Sequence, residues 1–134
     1  MKFKCLFTIL FTLFISQMYA QKLTLKKGTI EIDNKKIMSY KTKAFGIEFS
    51  ILKLNSNEEV INFNAINDYS VIYFDEFNIK MKTNKYYNTA KEFVKDMYDN
   101  EIFNSEGKLN IDKINLFLSK YSIDNTDFIL VPKS

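Results

Sequence analysis

Between Leu23 and Thr83 apolar residues recur mostly at every second position, and beyond Tyr87 they recur at the spacing of a helix. Strict alternation gives a strand one dry face and one wet face, whereas the later period gives one dry stripe along a helix. A chain patterned in this way folds as a run of strands followed by a run of helices.

The strand region divides at turn signals. In "TIEID", residues 29 to 33, Ile30 and Ile32 share a face, and Asp33-Asn34 predicts a tight turn into "KKIMSYKTK". "AFGIEFSIL" places Phe45, Ile47, Phe49 and Ile51 on one side and ends at the turn-rich "NSN" of residues 55 to 57. Ile61, Phe63 and Ala65 face inward on the next strand, with Asn62 and Asn64 outward. "DYSVIYFDEF" is apolar on both faces, which predicts a central strand, and "FNIKMKT" alternates Phe77, Ile79 and Met81 against Asn78, Lys80 and Lys82. Connections this short fit an antiparallel meander and leave no room for parallel crossovers.

Thr89-Ala90-Lys91-Glu92 is a capping box, and Ala90, Phe93, Val94, Met97 and Tyr98 fall on one helical face. A second helix is expected over residues 111 to 121, capped by Asn110, with Ile114, Phe117, Leu118 and Tyr121 inward. Phe128 to Val131 reads as a short last strand ended by Pro132. The expected fold is α+β, an antiparallel β-meander of about five to seven strands with two C-terminal helices packed on one face. A barrel enclosing a ligand is the rival, and the two amphipathic helices argue against it.

Residues 1 to 20 have a different character. Lys2 and Lys4 precede Cys5 to Ser16, twelve residues without a charge, and the uncharged stretch to Ala20 is only sixteen long. A membrane-spanning helix needs about 20 apolar residues, so this length predicts a signal peptide cut after Ala20, the alternative being an uncut N-terminal anchor. Residues 21–134 then form a single domain, exported to the periplasm or secreted, with no stable membrane anchor after cleavage. Cys5, within the apolar stretch and not at its end, argues against a lipid anchor.

Trimming at Ala20 removes the only cysteine, and the chain has no histidine, tryptophan or arginine. A thiol nucleophile, a disulfide, a Cys or His zinc site and a serine relay through imidazole are therefore excluded from residues 21–134. No cofactor is implied. Losing Lys2 and Lys4 takes the formal charge from +3 to +1. Without a guanidinium fork and with so little net charge, nucleic acid is not expected as a partner.

Acidic residues offer few convergent sites. Around Gly107 the stretch "SEGKLNID" superficially resembles a calcium loop, but the twelfth position of that register holds Lys113, so it reads as an interhelical turn with Gly107 at positive φ. Asp75-Glu76 reads as a hairpin turn and Glu58-Glu59 as the entry of another strand, and adjacent carboxylates on a strand would point apart. Glu92, Asp96 and Asp99 share a helix face suited to a hard cation, although Lys91 and Lys95 beside them favour a solvated surface. Asp124 and Asp127 read as turn and cap residues.

Lysines supply the one suggestive pattern. Residues 22 to 43 carry seven lysines against Glu31 and Asp33, while residues 88 to 112 carry three lysines against six acids. These basic and acidic regions are expected to make complementary contacts with another protein or a second copy, Lys41 and Lys43 among them, and Lys80, Lys82 and Lys85 of "KMKTNK" with Tyr86 and Tyr87 offer a surface for an acidic ligand or lipid headgroups. The bland alternative is the wet side of strands, where lysine discourages edge association.

The segments "GTIEIDNKKIMSY", "FSILKLNSNEEVINF" and "KEFVKDMYDNEIFNSEGKLNIDKINLFLSKYS" resemble a group of small exported Bacteroidota proteins with several strands and a closing helical pair. No activity attaches to that group, so the resemblance implies location and architecture alone. The functional expectation is a non-enzymatic binding or protein-interaction module. The alternatives are a carrier holding a small apolar ligand among Phe45, Phe49, Phe63, Tyr73 and Phe77, and behind it a carboxylate-based hydrolase.

Overall fold

Tight turns built on left-handed residues set the strand order. The computed structural model describes residues 21–43, 47–123 and 129–130. The expected signal peptide, Phe45, Asp124, Asp127, Phe128 and Val131 lie outside the described residues. Strand β1 (Leu23–Lys26) turns through Lys27-Gly28 into β2 (Thr29–Ile32), which turns through Asp33-Asn34 into β3 (Lys35–Lys43). All four turn residues have positive φ, from 47° to 82°, as two-residue hairpins require.

The remaining strands are β4 (Glu48–Lys53), β5 (Glu59–Ile66), β6 (Tyr69–Phe74), β7 (Ile79–Thr83) and the two-residue β8 (Ile129–Leu130). Every strand pairs antiparallel with its sequence neighbour, giving an open sheet in the order β1 to β8. The sheet thus has seven substantial strands, with the expected last strand as a short addition on β7. Asp75-Glu76 sits in a single helical turn between β6 and β7, closed by Asn78 at φ 52°. That turn includes Phe77, so β7 starts two residues later than the alternation implies. Ile47 likewise precedes β4 and is exposed, not turned inward with Phe49.

Helix α1 (Ala90–Asp99) starts where the capping box requires, with Thr89 Oγ1 accepting from Glu92 N at 3.2 Å. The Glu92 carboxylate accepts from Asn88 N at 2.9 Å, one residue ahead of the cap. Helix α2 (Ile111–Tyr121) starts at Asn110, whose side chain accepts from the backbone of Asp112 and Lys113. Between the helices, Asn104 and Lys108 bracket a small turn with Gly107 at φ 77°. This turn seats on β3, since a Cβ at Gly107 would lie 3.0 Å from Ile37 O and 3.2 Å from Met38 Cγ.

Both helices bury their stripes on one side of the sheet, in a single core with Phe49, Ile51, Ile61, Phe63, Ile72 and Phe74. The Phe93 ring from α1 lies 6.3 Å from Phe49 and 5.6 Å from Phe63, and Tyr87 meets Phe63 edge-on at 4.9 Å. Aromatic pairs at these separations fill space against each other.

Candidate functional site

The face opposite the core is covered by no described helix. Residues paired across strands point to the same side, so the register reads out this face directly. One row runs Lys41, Ser50, Asn62, Tyr73, Lys80 from β3 to β7, and the next runs Lys43, Glu48, Asn64, Val71, Lys82. With neighbouring strands about 4.8 Å apart, the lysine columns of β3 and β7 stand about 19 Å from one another.

A bulge adds the face's central carboxylate. Ile51 pairs with Ile61 while Leu52 pairs with Glu59, leaving Val60 as an extra residue. Simple alternation would aim Glu59 at the core beside Ile61; the bulge re-aims it outward. There Glu59 forms an ion pair with Lys43 and accepts from Asn62 Nδ2 at 3.0 Å. The Ser50 hydroxyl lies 3.1 Å from Glu59 Oε1 and 2.5 Å from Asn62 Oδ1. Burial raises the Glu59 pKa, but the hydrogen bonds from Lys43, Asn62 and Ser50 and the Lys43 charge outweigh it, leaving the carboxyl below its ordinary value. Glu59 is therefore a structural anion and not a proton donor near neutrality.

Around this node an open depression of about 440 Å³ is lined by Lys43, Glu48, Glu59, Asn62, Asn64, Tyr73 and Lys80, two lysines against two glutamates. Lys82 sits over the Tyr69 ring at 5.3 Å on the same face. Pairing extends the face to β1 and β2, adding Lys26, Lys36 and Glu31. The whole face carries six lysines against three glutamates, a surplus larger than the +1 of residues 21–134 taken together. Among the described residues Lys26, Lys36, Lys41 and Lys80 enter no ion pair.

Four of the seven expected surface residues, Lys41, Lys43, Lys80 and Lys82, thus come together on one face. The other three do not join them. Tyr87 is buried, 6% exposed, because its ring packs on Phe63 and Phe93 and its hydroxyl donates to Asp96. Burial and the Asp96 carboxylate push that phenol far above its ordinary pKa. Lys85 reaches inward to Asp96 at 2.9 Å and lies 4.2 Å from the centre of the Tyr121 ring. Tyr86 is exposed between these two, off the sheet. Residues 84 to 88 have no regular period, so alternation carried no information about which of them turns inward.

The acidic residues are likewise engaged. Glu92 caps α1, Asp96 serves Tyr87 and Lys85, and Asp99 pairs with Lys95 at 3.0 Å. Beside the interhelical turn a larger depression, about 750 Å³, is lined by Tyr98, Phe103, Glu101, Lys108 and Lys113 among others. Its charges cancel locally through Lys113 to Glu101 at 2.7 Å and Lys108 to Glu106 at 3.8 Å. The sheet face is the better site because, beyond the balanced depression at its centre, the face as a whole keeps a surplus of lysines.

Ser50, Glu59 and Tyr73 join this site without having been singled out for it. Asn62 and Asn64 were legible as outward residues, and hairpin register was the signal that would have aligned them with Lys41 and Lys80. Comparisons with protein-family models, curated proteins and solved structures each return no match.

Proposed function

We propose that this chain is an exported, non-enzymatic binding module that engages an acidic partner through the sheet face opposite the described helices, in the periplasm or outside the cell. The reading rests on one observation: both described helices cover the same side of the meander, and on the other side Lys26, Lys36, Lys41 and Lys80 enter no ion pair among the described residues. Acidic residues of the helical region, by contrast, are mostly occupied within the chain. Long-range attraction of this kind steers encounter and sets partner choice.

The carrier alternative draws less support. Phe49 and Phe63 stack at 5.7 Å and both meet Phe93, so these rings occupy the space a ligand would need. Tyr73 belongs to the opposite face.

Native mass spectrometry of the protein purified from its own envelope tests the reading. A stoichiometric partner or oligomer retained by the wild type and lost in Lys41→Glu/Lys80→Glu is expected. Identical spectra for the two proteins would refute it, as would robust turnover abolished by replacing a single acidic side chain.

A further inference from the structure

We infer that the sheet face opposite the described helices binds an acidic oligosaccharide laid across the strands from β3 to β7. The assignment rests on the binding-module reading above and specifies its ligand. Charge comes first. Lysine columns at both ends of the site, about 19 Å apart from the strand spacing, suit an extended ligand with anionic groups repeated along its length. Each ammonium is a compact point charge on a flexible stem, able to meet carboxylates at variable positions.

The floor between the columns selects the class of polyanion. Asn62 and Asn64 place two amides there, and the half-buried Asn64 side chain makes no hydrogen bond among the described residues, leaving a donor and an acceptor for hydroxyl groups. The half-buried Tyr73 ring beside them offers an apolar platform with a polar rim, which matches the alternation of C–H and O–H groups on a sugar. A protein partner fits less well, because the centres of protein interfaces are apolar and depleted in lysine. A bilayer also fits less well. Of the exposed large apolar residues, Tyr86, Ile111, Leu116 and Ile123 lie on the loops and helices, and Ile47 stands alone just before β4, so the lysine face presents no cluster of apolar side chains for insertion.

Calorimetry and affinity electrophoresis of the purified protein decide the matter, using polygalacturonate, alginate and heparin as acidic glycans. Fully methyl-esterified polygalacturonate, polyglutamate and phosphatidylglycerol vesicles serve as comparisons. At least one acidic glycan should bind, with the neutral ester and polyglutamate each weaker by about tenfold or more. Lys41→Glu/Lys80→Glu should lose about tenfold or more. Asn64→Ala should lose about fivefold toward the glycan and leave polyglutamate unaffected, as expected for one hydrogen bond. Circular dichroism of the variants checks that the substitutions at exposed Lys41 and Lys80 and at half-buried Asn64 leave the fold intact.

Equal binding of polyglutamate and the best glycan would overturn the inference, as would a silent Asn64→Ala, preference for the vesicles, or no binding to any acidic glycan. If no glycan binds while Lys41→Glu/Lys80→Glu still loses a stoichiometric protein partner, only the ligand class falls. If neither is seen, the binding-module reading falls with it.

Discussion

Replacing Gly107 by alanine tests how the interhelical turn is seated on β3. At φ 77°, an alanine pays about 1 to 2 kcal/mol for the left-handed conformation. The new methyl would stand 3.0 Å from the Ile37 carbonyl oxygen, which is backbone in a paired strand, and 3.2 Å from Met38 Cγ, which can move. Crowding of that kind adds about 1 kcal/mol, at the low end for overpacking because the methionine gives way. Restricting the unfolded chain returns about 0.5 kcal/mol. The net expectation is a loss of about 2 kcal/mol, or a fall in Tm of about 8 °C for a domain of this length.

Gly28 is the internal control. Its φ is 82°, but its nearest neighbour would be Tyr40 O at an ordinary 3.5 Å. Gly28→Ala should therefore cost only about 1 kcal/mol, from conformation alone. Asparagine tolerates positive φ, so Gly28→Asn should be nearly neutral while Gly107→Asn keeps the crowding loss. Urea titrations should show these differences as shifts in midpoint at constant m-value. Equal losses for the two alanine variants would refute the close approach of the turn to β3.

Asp96→Ala should cost about 2 to 3 kcal/mol in the same assay, since it strands the buried Tyr87 hydroxyl and the inward Lys85 amine, whereas Tyr87→Phe should cost only about 1 kcal/mol. Asn110→Ala should lose about 1 kcal/mol by uncapping α2. Glu59 sets an acid edge. Its folded pKa lies below the ordinary 4.5, so its contribution is present above that pH and lost as pH falls through the folded value. Glu59→Gln should flatten the dependence of stability on pH below about 4.5, read by thermal melts at successive pH values, while an unchanged profile would show that the node contributes nothing.

Much of the architecture was legible because its signals are local. Asp33-Asn34, Thr89 with Glu92, Asn110 and Gly107 each encode a turn or cap through their own side chain or its absence, and each behaves accordingly. The inward sets Phe49, Ile51, Ile61 and Phe63 followed from parity alone. Parity fails where a residue is inserted. At Val60 it would have buried Glu59, and at Ile37 a second bulge lets adjacent Ile37 and Met38 both face apolar surroundings. The lysine face was visible as scattered charges but not as one surface, because its assembly depends on register between hairpins. Tyr87 and Lys85 were illegible for a related reason, as their partners Phe63, Asp96 and Tyr121 are distant in sequence or belong to other elements.

Because spatial order in the sheet equals chain order, each strand from β2 to β7 needs only its immediate predecessor to find its place, while β8 joins β7 after the helices. Closing such short loops costs little entropy, and keeping partners close along the chain speeds folding. For a polypeptide delivered end-first, from a ribosome or through a pore, the order of appearance is then the order of assembly. The dry side of the growing meander, with Phe49, Phe63 and Ile72, stays open until the two helices follow. That interval is when the nascent chain is most exposed to aggregation, and when a holding chaperone would have most to grip.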